Sequence, residues 1–138
     1  SAYSTIERLE RESAREELDD VLASARDIDG VKVIAAAVDA PDGDLLGEMA
    51  DWCRDRLESG VVVLGSDIDG KVRLVAKVTP DLVERGVHAG KLVGQVAKTV
   101  GGGGGGRADF ATAGGRDSSR LPEALEKTYG LVAEALQK

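Results

Sequence analysis

The chain has 138 residues, is 42% hydrophobic and 31% charged, and carries a net charge of −7; this is the composition of one globular domain, not of a disordered chain. Aromatic residues make up only 3%, so Val, Leu, Ile and Ala must build the core. A single cysteine, Cys53, and a single histidine, His88, exclude a disulfide framework, a zinc finger and a multi-histidine metal centre.

Any Ser–His–Asp or Cys–His nucleophile system would have to use His88, which no local motif supports. The longest apolar run, Val33 to Val38, falls far short of the roughly 18 residues of a membrane span. The opening Ser1-Ala2-Tyr3-Ser4-Thr5 lacks the charged-then-apolar pattern of a signal peptide. It also starts without Met, which reads as an excised fragment, and the expectation is a cytoplasmic domain. Charge is unevenly spread: residues 1–60 hold 16 acidic and 7 basic side chains, residues 61–138 hold 9 and 11. The near-neutral second half has room for a local basic patch.

From Ser4 to Arg26 the spacing predicts a charged helix with a narrow apolar stripe of Ile6, Leu9, Ala14, Leu18, Val21, Leu22 and Ala25. Ser13 and Asp20 spoil a heptad, and Asp27-Ile28-Asp29-Gly30 ends the helix. Val31 to Asp39 reads as a buried strand stopped by Pro41-Asp42-Gly43. A helix over 42–59 follows, capped by Asp42 or Asp44, with Leu46, Met49, Ala50, Cys53 and Leu57 inward and Gly60 as its terminator. Within that stripe Cys53 is a small core residue rather than a nucleophile, and Trp52 packs at the margin.

A strand over 61–67 leads to Asp69-Gly70, a strong short-hairpin signal. The next strand, 71–78, sets Val72, Leu74, Ala76 and Val78 on one face and Lys71, Arg73 and Lys77 on the other. Thr79-Pro80-Asp81 opens a short helical turn. The helix predicted over 89–100 buries Leu92, Val93, Val96, Ala97 and Val100 and presents His88, Lys91, Gln95 and Lys98 as a polar stripe.

Gly101, Gly102, Gly103, Gly104, Gly105 and Gly106 then form an unbroken run. Ordering six glycines is entropically costly, so the run implies a close approach to the backbone or φ values closed to other residues. A flexible linker is the bland alternative, but the compact Arg107 to Gly115 stretch that follows is not linker composition. A Walker A loop needs Gly-Lys-Ser/Thr, and the dinucleotide fingerprint needs strand, loop, helix in that order. Here a helix precedes and a strand, 109–113, follows. A loop rich in backbone amides and ending at Arg107 suits phosphate or an RNA backbone. An amphipathic helix from Pro122, with Leu121, Leu125, Thr128, Val132 and Leu136 inward, closes the chain.

Gly101 through Gly115 resembles the glycine motif of the C-terminal domain of alanyl-tRNA synthetase, the DHH-associated fold, in which a glycine run precedes Arg-Pro-Asp-x-Ala-Gln-Ala-Gly-Gly. Arg107, Asp109, Ala111, Ala113, Gly114 and Gly115 match; Ala108 and Thr112 depart from the usual Pro and Gln. Gly60 to Gly65, Asp69-Gly70-Lys71-Val72 and Ala89 to Gly94 are similar as well, so the resemblance spans 31–137. It implies a module that contacts the outer corner of tRNA(Ala), assists the other domains of the parent synthetase, and in several members carries homodimer contacts. ATP and zinc are implied only for those other domains; for this fragment no cofactor, metal ligand set or catalytic residue is expected. The same fold also ends DHH-type phosphoesterases, where His usually follows the glycines, and freestanding alanyl-tRNA editing proteins. A purely structural dimerisation module is a further alternative.

The expected architecture is therefore α/β (α+β): a mixed β-sheet covered by amphipathic helices and preceded by a charged N-terminal helix. Residues 1–29 read as a helical spacer or dimerisation helix, and 30–138 as the globular domain with its glycine motif at 101–115. The expected RNA-binding surface joins Lys71, Arg73 and Lys77 on a strand, Lys91 and Lys98 on a helix, and the motif residues Gly101 to Gly106, Arg107, Asp109, Gly114 and Gly115.

Overall fold

Alternating apolar residues on the central strands give the sheet two faces, and each face acquires its own core. The structure, a computed structural model, describes residues 19–28, 30–40 and 42–137; the helix expected before residue 19 lies outside them. In chain order come helical residues 19–23 (α1), β1 (Arg26–Ile28), β2 (Val31–Ala37), α2 (Gly43–Asp55), β3 (Gly60–Ile68) and β4 (Lys71–Val78). They are followed by α3 (Pro80–Glu84), α4 (Ala89–Thr99), β5 (Gly103–Gly106), β6 (Phe110–Gly115), a 3₁₀ turn (Ser118–Arg120) and α5 (Leu121–Gln137).

The six strands run in the order β1-β2-β3-β4-β6-β5. Only β2 and β3 pair in parallel, as the α2 crossover between them requires; the other neighbours are antiparallel. On one face Val33, Val61, Val63, Leu74, Ala76 and Ala111 pack with Val93, Val96 and Ala97 of α4 and Ala124, Leu125 and Val132 of α5. On the other, Ile34, Val62, Leu64 and Val75 pack with Leu46, Met49, Ala50 and Cys53 of α2. The mixed sheet and its helical cover agree with the sequence expectation. Cys53 is fully buried in the apolar cluster under α2, and burial pushes its thiol up to about 11, the environment of a small core residue.

Local chemistry explains the boundaries. Asp69 and Gly70 both have positive φ, 55° and 80°, which matches a tight hairpin between β3 and β4. Asp42, not Asp44, caps α2 by accepting the Leu45 N–H at 2.8 Å. That helix stops at Asp55 with Arg56 as its C-cap, so Gly60 is no terminator; it begins β3, and Leu57 packs over it. Arg56 lies 3.5 Å from the centroid of the half-buried Trp52 ring, a cation–π contact at the stripe margin.

Two segments differ from the sequence expectation in kind. The helix ends at residue 23, and Arg26–Ile28 forms an edge strand on β2, so the boundary expected at residue 30 falls inside the β1–β2 hairpin. Arg26 is further held by Glu126 at 3.1 Å and by the Tyr129 ring at 4.0 Å, both on α5. The second is the glycine run, of which Gly103–Gly106 is a strand rather than a loop.

His88 is the N-cap of α4: its Nδ1 accepts the Lys91 N–H at 3.2 Å. Replacing it by Ala removes that acceptor and is expected to cost about 1 kcal/mol of stability, most of which His88→Asp should restore. Urea unfolding of the two variants checks this; equal midpoints for His88→Ala and wild type would contradict it.

Candidate functional site

A strand of four glycines forms because it is trapped between a neighbouring strand and a helix, not because glycine favours strands. β5 pairs with β6 in the register Gly103↔Gly114, Gly104↔Ala113, Gly105↔Thr112, Gly106↔Ala111. Across its inner side lies α4, whose own small residues make the approach: a Cβ on Gly90 would sit 2.7 Å from the Gly106 carbonyl oxygen, and one on Gly94 3.2 Å from that of Gly104. Side chains at Gly102, Gly104 or Gly106 would collide with β6. The helix and the glycine motif are thus one packed unit.

The same packing engages some of the amides that sequence reading assigned to phosphate. Ala89 and Gly90, the first residues of α4, donate to the carbonyls of Ala108 and Arg107 at 2.8 and 3.1 Å. His88 accepts from Lys91, and the Leu92 N–H returns to the His88 carbonyl at 3.0 Å, so the helix start is satisfied internally. At the other end Gly101 and Gly102 donate to Lys98 and Ala97, and Arg107 donates to Phe110 across the β5–β6 turn. The amides that flank the glycine run are thus engaged within the protein, and the exposed side-chain cations are the other attraction the region offers to phosphate.

Those cations are sorted by the fold. Lys91 and Lys98 are exposed on α4, roughly 10 Å apart along its axis. Arg107 follows β5 directly, and its carbonyl is bonded to Gly90, one residue from Lys91. The Arg107 side chain is 76% exposed and touches Asp109 at 3.5 Å, a contact loose enough to exchange for another anion. Arg116, which sequence reasoning did not select, donates its N–H to Val100 at 2.8 Å and stands exposed beside the α4 end that carries Lys98. Its only signal was a cation directly after Gly114-Gly115. Lys91, Lys98 and Arg116 have no ion-pair partner among the described residues.

Lys71, Arg73 and Lys77 do share a strand face, but it is the α2 face of the sheet, opposite α4. Lys71 and Arg73 are exposed there. Lys77 is not: its side chain is 9% exposed, its ammonium pairs with Asp51 of α2, and it lies 4.4 Å from the centroid of Phe110. It belongs to the packing between α2 and the sheet. In place of the single basic surface expected from the sequence there is a helix-and-turn rim of Lys91, Lys98, Arg107 and Arg116, while Lys71 and Arg73 stand on the opposite face of the sheet, two strands in from its β5 edge.

Beside the α2 N-terminus a groove of about 710 Å³ opens over β4, β6 and β5, bordered by Asp42, Asp44 and Asp69 and floored by Arg73, Thr112 and Gly103. A smaller one, about 200 Å³, lies between α4 and α5 next to His88 and Leu131. Among the described residues no three His, Cys, Asp or Glu side chains are grouped to hold a metal ion, and no helix is long and apolar enough to cross a membrane.

Residues 10–134 match the DHHA1 domain family, and the chain belongs to that family. The curated relatives it resembles are alanine–tRNA ligases. It is 54% identical over 131 residues to that of Pelotomaculum thermopropionicum, covering 95% of this chain and 15% of the relative. It is 52% identical over 113 residues to that of Myxococcus xanthus, covering 82% and 13%. The chain thus spans about 15% of the length of such relatives. Among solved structures, the C-Ala domain of Aquifex aeolicus alanyl-tRNA synthetase matches with a TM-score of 0.73 at 26% identity, over 80% of this chain and 98% of that one. An exopolyphosphatase-related protein from Bacteroides fragilis matches at 0.57 and 11% identity, over 92% and 37%, a likeness of fold alone. The resemblance drawn from the glycine motif is what these comparisons find.

Proposed function

We propose that this domain is the tRNA-binding C-terminal module of an alanine–tRNA ligase, acting in the cytoplasm. It holds the outer corner of tRNA(Ala) and supports ATP-dependent aminoacylation and zinc-dependent editing carried out by other domains of the parent; the module itself uses no cofactor. The observation that carries this reading is the rim of Lys91, Lys98, Arg107 and Arg116 gathered by α4 and the β5–β6 hairpin on a protein whose net charge is −7. Against that background of repulsion, cations collected on one edge give a polyanion its way in. The near-absence of aromatics, 3%, removes base stacking as a source of affinity and favours folded RNA read by shape and phosphates.

Labelled tRNA titrated against the domain at low salt should bind weakly but saturably. Arg107→Ala should weaken binding by about 1–2 kcal/mol, the worth of a charge-assisted contact at an exposed site. Variants must keep the wild-type circular dichroism spectrum. Absence of wild-type binding at low salt, or unchanged affinity in Arg107→Ala together with Lys91→Ala and Lys98→Ala, would overturn the reading.

A further inference from the structure

The apolar stripes of α4 and α5 do not close completely against one another. Between the two helices lies the pocket of about 200 Å³, with Leu92 of α4 and Leu131, Val132 and Ala135 of α5 in its lining. Sites for drug-sized ligands measure about 300–1,000 Å³, so this one takes a molecule of a few heavy atoms.

Polar groups line the same pocket from both helices: His88, Lys91 and Gln95 from one stripe of α4, and Glu134 from α5. His88 uses its Nδ1 to accept the Lys91 N–H, so the neutral ring carries its proton on Nε2 and offers a donor there. On α5, Glu123 is held by Arg120 at 3.1 Å and Glu126 by Arg26 at 3.1 Å. Glu134 has no ion pair or hydrogen bond among the described residues, and no ion pair joins it to Lys91 across the pocket. A cation with an N–H donor on the α4 side thus faces an anion on the α5 side, with an apolar floor between them.

We infer that this pocket binds a free aliphatic α-amino acid as its zwitterion. The carboxylate meets the Lys91 ammonium and the His88 Nε2–H, the ammonium meets Glu134, and the side chain lies on Leu92, Leu131 and Val132. A plain anion would face Glu134 with like charge, and a plain cation would face Lys91 in the same way. A ligand that carries both charges on a small apolar body satisfies both walls at once. Lys91 also belongs to the α4 rim, so the occupant's carboxylate draws on a cation proposed above for RNA; the pocket's own chemistry does not depend on that proposal.

An amide-resolved NMR titration of the chain with L-leucine tests this. Saturable shifts are expected at the α4 start and around Leu131 to Ala135, with an affinity in the millimolar range because both charged walls stay in contact with water. Glycine, isocaproate and isoamylamine each lack one element of the ligand: the side chain, the ammonium or the carboxylate. Each should bind about fivefold more weakly or worse. Glu134→Gln and Lys91→Met should weaken L-leucine by a similar factor while the rest of the spectrum keeps its wild-type pattern. No saturable shift with L-leucine near its solubility limit overturns the inference. Isocaproate that binds as tightly as L-leucine also overturns it, leaving an anion contact at Lys91 alone, and so does unchanged affinity in Glu134→Gln.

Discussion

Gly102→Ala should unfold a large part of the population or lower its melting temperature by more than about 10 °C. The added methyl would overlap the Gly114 carbonyl oxygen and lie 2.5 Å from the Gly115 Cα, both backbone atoms of β6 that have no rotamer through which to retreat. Gly102 cannot move away either, because its N–H is bonded to the Ala97 carbonyl at 3.0 Å and so ties the strand to the end of α4. Relief requires β5 to leave β6 or α4 to leave the sheet. Overpacking of this kind costs about 3 kcal/mol or more, against a total stability of about 5–15 kcal/mol. Thermal unfolding followed by circular dichroism decides it; a wild-type midpoint would mean that the glycine motif is not seated on β6 and α4 as described.

Lys77→Glu should destabilise the domain by about 2–4 kcal/mol, whereas Lys77→Met should change stability by less than about 1 kcal/mol. The ammonium lies under α2 against Phe110 and pairs with Asp51, whose carboxylate also holds Arg54 at 3.4 Å. Reversal sets two carboxylates together in a site that is 9% exposed on the lysine side. Methionine keeps the stem and deletes the charge. Urea unfolding measures both stability changes, and tRNA titration of the methionine variant tests whether Lys77 serves packing rather than RNA. A Met variant that keeps its stability but loses tRNA affinity would return Lys77 to the RNA surface.

The central sheet was legible because its signals are local. The alternation of Val72, Leu74, Ala76 and Val78 against Lys71, Arg73 and Lys77 determines a face, and Asp69-Gly70 determines the turn that sets its register. The exposure of Lys91 and Lys98 followed from helical spacing alone. What was hidden depended on partners distant in sequence. Arg26–Ile28 is too short to announce itself and is a strand only because β2 offers an edge. Four glycines carry no strand pattern, and Gly103–Gly106 is extended only because α4 presents Gly90 and Gly94 to it. The burial of Lys77 is set by Asp51, 26 residues earlier on α2, which no strand periodicity could reveal. Arg107 is anchored one residue from Lys91 by the bond from the Gly90 N–H to its carbonyl, a placement that needed the fold.

The most direct measurement of the central claim, that the α4 and hairpin rim is an RNA phosphate surface, is the salt dependence of tRNA affinity. Plotting log K against log salt for wild type and for the Lys91→Ala/Lys98→Ala double variant isolates the counterions those two side chains release. The account predicts that the slope becomes shallower by about two units in the double variant while its unfolding midpoint stays at the wild-type value, since both residues are exposed and unpaired among the described residues. Identical slopes for the two proteins would contradict it and place the RNA contact elsewhere.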